Sequence, residues 1–116
     1  MKSLGTLFIS TIIILALLSF NSSESSKFLG TYGVSKDDPS GIKLKLNEDH
    51  TFHYTDYSNI AKAINATGKW EMVDRTVYLK GFKSNHSFHT KWKMSKNGKI
   101  ATSRLGISFY ALKKLD

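Results

Sequence analysis

The sequence predicts an all-β domain, an antiparallel meander of about eight short strands that curls into a small barrel. Three observations carry that expectation. From residue 27 onward, apolar and polar residues alternate with a period of two over one short run after another, as in strands with one buried face. No stretch of that region sustains a helical period. Turn signals, among them the single proline Pro39 and the pair Asn97–Gly98, separate the runs at short intervals.

The strand candidates follow in order. "KFLGTYGV" opens the set, and "KDDPSG" is a loop. "IKLKLN" alternates Ile42, Leu44 and Leu46 with Lys43 and Lys45, and "TFHYTDY" returns beside it as a hairpin. "SNIAKAINA" (58–66) places Ile60, Ala61 and Ile64 at helical spacing, which predicts one or two helical turns capped by Ser58 or Asn59, or a loop. "TGKWEMV" alternates Trp70 and Met72 with Lys69 and Glu71, and "TVYLKGF" follows a turn at Asp74–Arg75. "SFHTKWKM" puts Phe88, Thr90, Trp92 and Met94 on one face and His89, Lys91 and Lys93 on the other. "KIATSR" and "ISFYALKKL" end the chain. Short connections and lysine-bearing outer faces suit closure, which removes exposed edges. An open barrel or a sandwich is the alternative.

Residues 1–26 read differently. Lys2 precedes the apolar run "LFISTIIILALLSF", and "NSSESS" follows it. This is the three-part pattern of a secretory signal peptide, and the apolar run is short for a span of about 20 residues. The expectation is therefore an exported protein, periplasmic or secreted, with residues 27–116 as its single domain. A tether through an uncleaved N-terminal segment is the alternative. No A-x-A site marks the cleavage point.

The 116 residues include 17 Lys+Arg against 9 Asp+Glu, a net charge of +8, and no cysteine. Disulfides, thiolate metal sites and cysteine nucleophiles are excluded. Arg75 and Arg104 are the only arginines. Nucleic-acid sites lean on arginine for bidentate contacts, so no nucleic-acid partner is expected, and scattered lysines read first as a solvated surface.

Two hairpins align without gaps, "KLNEDHTF" and "KMSKNGKI", which sets His50 where the second has Gly98. A type I turn with a bulge needs positive φ at that position. Glycine adopts it freely, and histidine is among the better-tolerated alternatives. The four histidines fall in two H-x-x-H pairs, His50 with His53 and His86 with His89. On a strand, residues three apart face opposite ways, so no metal site and no cofactor is expected. His50 reads as a tolerated turn residue.

"LNEDHTF", then "TGKWEM" and "VYL", with "GTY" at the first strand, resembles the signature of small bacterial lipocalin-like exported domains, L-x-x-D-G-T-F followed by G-x-W. The resemblance implies a compact exported lipocalin-like barrel, and some relatives of that shape bind apolar small molecules. His50 in place of glycine departs from the pattern, and no functional residue transfers.

The first functional expectation is a non-catalytic domain that binds a small apolar ligand inside the barrel, with Tyr32, Tyr54, Trp70, Phe88 and Trp92 as the candidate ligand-binding residues. Met72 and Phe109 are expected to face inward with them. Buried tyrosine hydroxyls discriminate here, because they need partners that a ligand could supply. The alternative is a solid-core interaction protein acting through its lysine-rich surface on an anionic surface or an acidic partner protein. No nucleophile elbow or phosphate loop is present, and an enzyme is not expected. Oligomeric state is not legible.

Overall fold

The computed structural model describes residues 25–116. The expected signal segment falls on residues 1–26, and its first 24 lie outside the described residues. Eight strands run in chain order: β1 (Gly30–Gly33), β2 (Lys43–Leu46), β3 (Thr51–Asp56), β4 (Ile64–Val73), β5 (Thr76–Lys80), β6 (Lys91–Met94), β7 (Ile100–Leu105) and β8 (Ser108–Lys114). Each pairs antiparallel with the next. β8 returns to β1 through Tyr32↔Lys114 and Gly33↔Lys113, which closes the meander into a small barrel rather than an open sheet or sandwich.

Period-two patterning fills the interior. Along β2 and β3, Leu44, Leu46, Phe52 and Tyr54 are buried while Lys45 and His53 are exposed. β4 alternates in the same way, with Ile64, Ala66 and Trp70 inside and Asn65, Lys69 and Glu71 outside. Seventeen apolar residues form one core cluster, including Trp92, Met94, Ala101 and Leu112 from the last three strands. Burial of this set supplies the main stabilisation, at about 25 cal/mol per Å² of apolar surface.

Several local readings need correction. Residues 58–66 contain one 3₁₀ turn, Ile60–Lys62, with Asn59 Oδ1 accepting from the Ala61 amide at 3.1 Å, and Ile64 already belongs to β4. β6 begins only at Lys91, so the alternation does not extend back to Phe88. Irregular chain there buries both Phe88 and His89, and His89 points into the protein rather than outward beside lysines. Phe109 is 54% exposed on the outer face of β8, because Ser108, Tyr110 and Leu112 take that strand's inward positions. Met72 is half-buried against the core.

The two aligned turns both hold their fifth residue in the left-handed region, His50 at φ 66° and Gly98 at φ 72°. His50 is fixed by its ring, which lies 4.2 Å from that of Trp70 and nearly parallel to it. Its Nδ1 sits 3.1 Å from the Trp70 carbonyl, and the Trp70 amide donates to the His50 carbonyl at 2.8 Å. Stacking of this kind contributes about 0.5–1.5 kcal/mol, which offsets much of a left-handed cost of about 1–2 kcal/mol. The β4–β5 turn is tighter, with Asp74 and Arg75 both at positive φ (49° and 62°), the pattern of a type I′ hairpin built without glycine.

Candidate functional site

The five interior candidates lie in the core. Tyr32, Tyr54 and Trp92 are fully buried, and Trp70 and Phe88 nearly so. Tyr54 stacks on Phe88 with centroids 5.1 Å apart and meets Trp92 at 6.0 Å, whereas Tyr32 and Trp70 make their polar contacts elsewhere. The Tyr32 hydroxyl, which donates one proton, lies 2.8 Å from the carbonyls of both Phe28 and Gly98. Trp70 donates to the Asn47 carbonyl and Trp92 to the His89 carbonyl. Among the described residues, the Tyr54 hydroxyl is the one buried side-chain polar group without a close hydrogen-bond partner. Burial, and then the nearby Asp56 carboxylate, hold its pKa well above the ordinary phenol value.

Around Tyr54, one rim of the barrel is polar. Tyr110 donates to Asp56 Oδ2 at 2.7 Å, tying β8 to β3. The His89 ring stacks on Tyr110 at 4.3 Å, with Nδ1 2.8 Å from Ser103 Oγ and Nε2 3.0 Å from Ser108 Oγ. Desolvation lowers the His89 pKa against an opposing pull from Asp56, which favours neutral imidazole. A serine hydroxyl meets each ring nitrogen, so neither is held by the carboxylate that orients the base in a Ser-His-Asp set. The network reads as cross-barrel bonding, which joins the loop before β6 to the β7–β8 hairpin.

The second constellation lies outside the barrel. Pairing between β6 and β7 is limited to Lys93↔Thr102 and Met94↔Ala101. Continued, that register would set Trp92 opposite Ser103 and Lys91 opposite Arg104, but the strands part there. A groove of about 590 Å³ follows the parting, lined by Arg75, Lys91, Lys93 and Arg104 together with Thr76, Thr102 and Phe109. Both arginines of the chain thus meet on one wall. Arg75 is delivered by its left-handed turn and donates Nη1 to the Met94 carbonyl at 3.2 Å. Arg104 lies over the Phe109 ring at 5.3 Å, and Lys91 over Tyr78 at 5.9 Å.

Only Asp74 opposes these four cations within the groove lining. Among the described residues the one ion pair is Lys80–Glu71, on a different part of the wall. Four cations without a bridging carboxylate repel one another, and an anion that enters relieves that repulsion while accepting charge-assisted hydrogen bonds. Sequence reasoning missed this site. Arg75 and Arg104 are 29 positions apart, and only the β5–β6–β7 register makes them neighbours.

The histidines disperse. His53 pairs with Asn65 at 2.7 Å on the outside of β3, His50 lies on Trp70, and His86 is half-buried in the loop before β6. Among the described residues no three His, Asp or Glu side chains converge as a metal site. No known protein family, curated protein or solved structure matches this chain.

Proposed function

We propose that this is an exported, non-catalytic binding domain that works through its basic outer surface, with the groove between β6 and β7 as the element that takes an anionic group of its partner. The observation that supports this reading is the gathering of both arginines and two lysines where the barrel wall parts, without a bridging carboxylate. Guanidinium forks grip phosphate, sulfate or carboxylate oxygens in two places at once, and the hydroxyls of Thr76 and Thr102 add further donors.

Inositol hexakisphosphate is a compact polyanion suited to the test. Calorimetric titration is expected to show one saturable site whose affinity falls as salt rises. Arg75→Gln and Arg104→Gln should each weaken binding about tenfold, on the order of 1.4 kcal/mol. Lys43→Gln/Lys45→Gln on β2 should change little. Equal losses in both sets would instead assign the binding to diffuse surface charge, and no binding in any protein would remove the basis for the reading.

One observation favours the interior-ligand reading, the unpartnered hydroxyl of Tyr54. Tyr54→Phe decides what that hydroxyl does in the isolated protein. A buried unsatisfied hydroxyl costs about 1–3 kcal/mol, so the variant should gain stability by part of that amount in urea unfolding. A loss of stability would mean that the protein itself supplies a partner there, and the interior reading would lose its one observation.

A further inference from the structure

In an antiparallel meander, the connections after odd-numbered strands all emerge at one end of the barrel. Here they are the β1–β2, β3–β4, β5–β6 and β7–β8 connections. Six large apolar side chains stand exposed in or beside them: Val34, Tyr57, Ile60, Leu105, Ile107 and Phe109. Ile107 is 101% exposed at the tip of the β7–β8 hairpin, and Ile60 is 89% exposed on the 3₁₀ turn. Among the described residues, only Val73 and Ile100 are comparably exposed at the opposite end. Single exposed apolar residues are unremarkable, but six of the eight among the described residues share this end, and the two most exposed are both there.

Charge follows the same division. Lys36, Lys62, Lys83, Lys91 and Arg104 are exposed at the apolar end. Of the carboxylates there, Asp56 is turned onto Tyr110 and Ser58, and Asp38 onto Ser40, which leaves Asp37 as the exposed one. The other end sets exposed Glu48, Asp49, Asp74 and Asp116 against exposed Lys27, Lys96, Lys99 and Lys113, and so carries no comparable excess of cations. The apolar tips project from separate loops, and the rim behind them is braced by the Tyr110–Asp56 and His89–Ser108 contacts. Protruding aliphatic tips ringed by cations match a deformable, anionic interface, where apolar burial and Coulomb attraction act together.

We propose that this end of the barrel docks onto an anionic lipid surface, with Ile107 and Ile60 as its inserted side chains. The docking end shares Phe109, Lys91 and Arg104 with the groove lining, but the inserted side chains Ile107 and Ile60 lie outside it.

The chain has no cysteine, so a single introduced thiol accepts a label uniquely. Ile107→Cys, Ile60→Cys and, as the control at the opposite end, Ile100→Cys are made in the full chain and labelled with nitrobenzoxadiazole. Each is mixed with phosphatidylcholine vesicles with or without phosphatidylglycerol. The expected result is a blue-shifted, several-fold brighter emission at 107 and 60 with the anionic vesicles, quenched by spin-labelled lipid, while the probe at 100 stays water-like. In the unlabelled protein, Ile107→Ser should lower vesicle partitioning about tenfold, the value of one buried aliphatic side chain. A water-like probe at 107 overturns the proposal. Equal responses at 107 and 100 also overturn it, because the N-terminal apolar stretch or charge alone would then make the contact. So does a response as large on neutral vesicles, or one that needs no lipid and grows with protein concentration, which would make a second copy the occupant.

Discussion

Replacing Trp92 by alanine is expected to cost the domain about 3–5 kcal/mol, the range for emptying a large aromatic site in a packed core. That is a large share of the stability of a domain this size, about 5–15 kcal/mol, so the variant should unfold at much lower urea or fail to accumulate. The magnitude follows from what Trp92 joins. Its side chain is fully buried, it meets the rings of Tyr54 and His89, and its Nε1 donates to the His89 carbonyl at 2.9 Å. Removal leaves a cavity and a buried carbonyl without its donor, and it loosens the residue that bonds Ser103 and Ser108. Trp92→Phe keeps most of the volume and should lose markedly less. Equal losses for the two variants would show that the indole N–H, rather than the ring, holds this region together.

Gly98→Ala is the second large effect, expected at about 2–5 kcal/mol for two separate reasons. Its φ of 72° costs a side chain about 1–2 kcal/mol. In addition, an added Cβ would lie 2.3 Å from the Lys27 carbonyl oxygen, which must move. Overpacking of that kind adds roughly 1–3 kcal/mol. The carbonyl belongs to the 3₁₀ turn Ser25–Phe28, which sits against the β6–β7 turn, and the Tyr32 hydroxyl reaches the Phe28 and Gly98 carbonyls together. Gly106, also at positive φ but with open space where a Cβ would stand, separates the two terms. Gly106→Ala should lose only the conformational part. If both variants cost the same in urea melts, close packing of the 3₁₀ turn contributes nothing.

Those two residues illustrate what could be read without coordinates. The left-handed position at Gly98 was legible, because Asn97–Gly98 is a local signal and a turn is a local object. The approach of Lys27 was not, since it joins residues 71 positions apart. The strands follow the same division. Alternation around Leu44, Phe52 and Trp70 identified the inner face correctly, because burial on a sheet repeats every second residue. It failed at His89, where the chain before β6 leaves the sheet and the period no longer applies. It also failed at Phe109, an aromatic whose size suggested the core although its place in β8 faces solvent. The basic groove was hidden more deeply. It exists because β6 and β7 pair through only two residues each and because the Asp74–Arg75 turn aims its second residue across β6. Neither fact has a signature in composition or spacing.

The closure between β1 and β8 has a kinetic consequence. Seven of the eight strand pairings join neighbours in sequence, so each can form once a loop has closed over a limited length of chain. The eighth joins Tyr32 to Lys114 and Gly33 to Lys113, across nearly the whole domain, and it rests on two residue pairs. Loop-closure entropy sets such a contact last in the order of formation, after the intervening strands have shortened the effective distance. With so few pairings, matched only by β6–β7, it is also among the cheapest to separate. Until it zips, β1 and β8 each present an unpaired edge, the template on which chains join one another. The dangerous species for this protein is therefore an almost complete barrel parted at one seam, and the lifetime of that species governs how much of it aggregates before it closes.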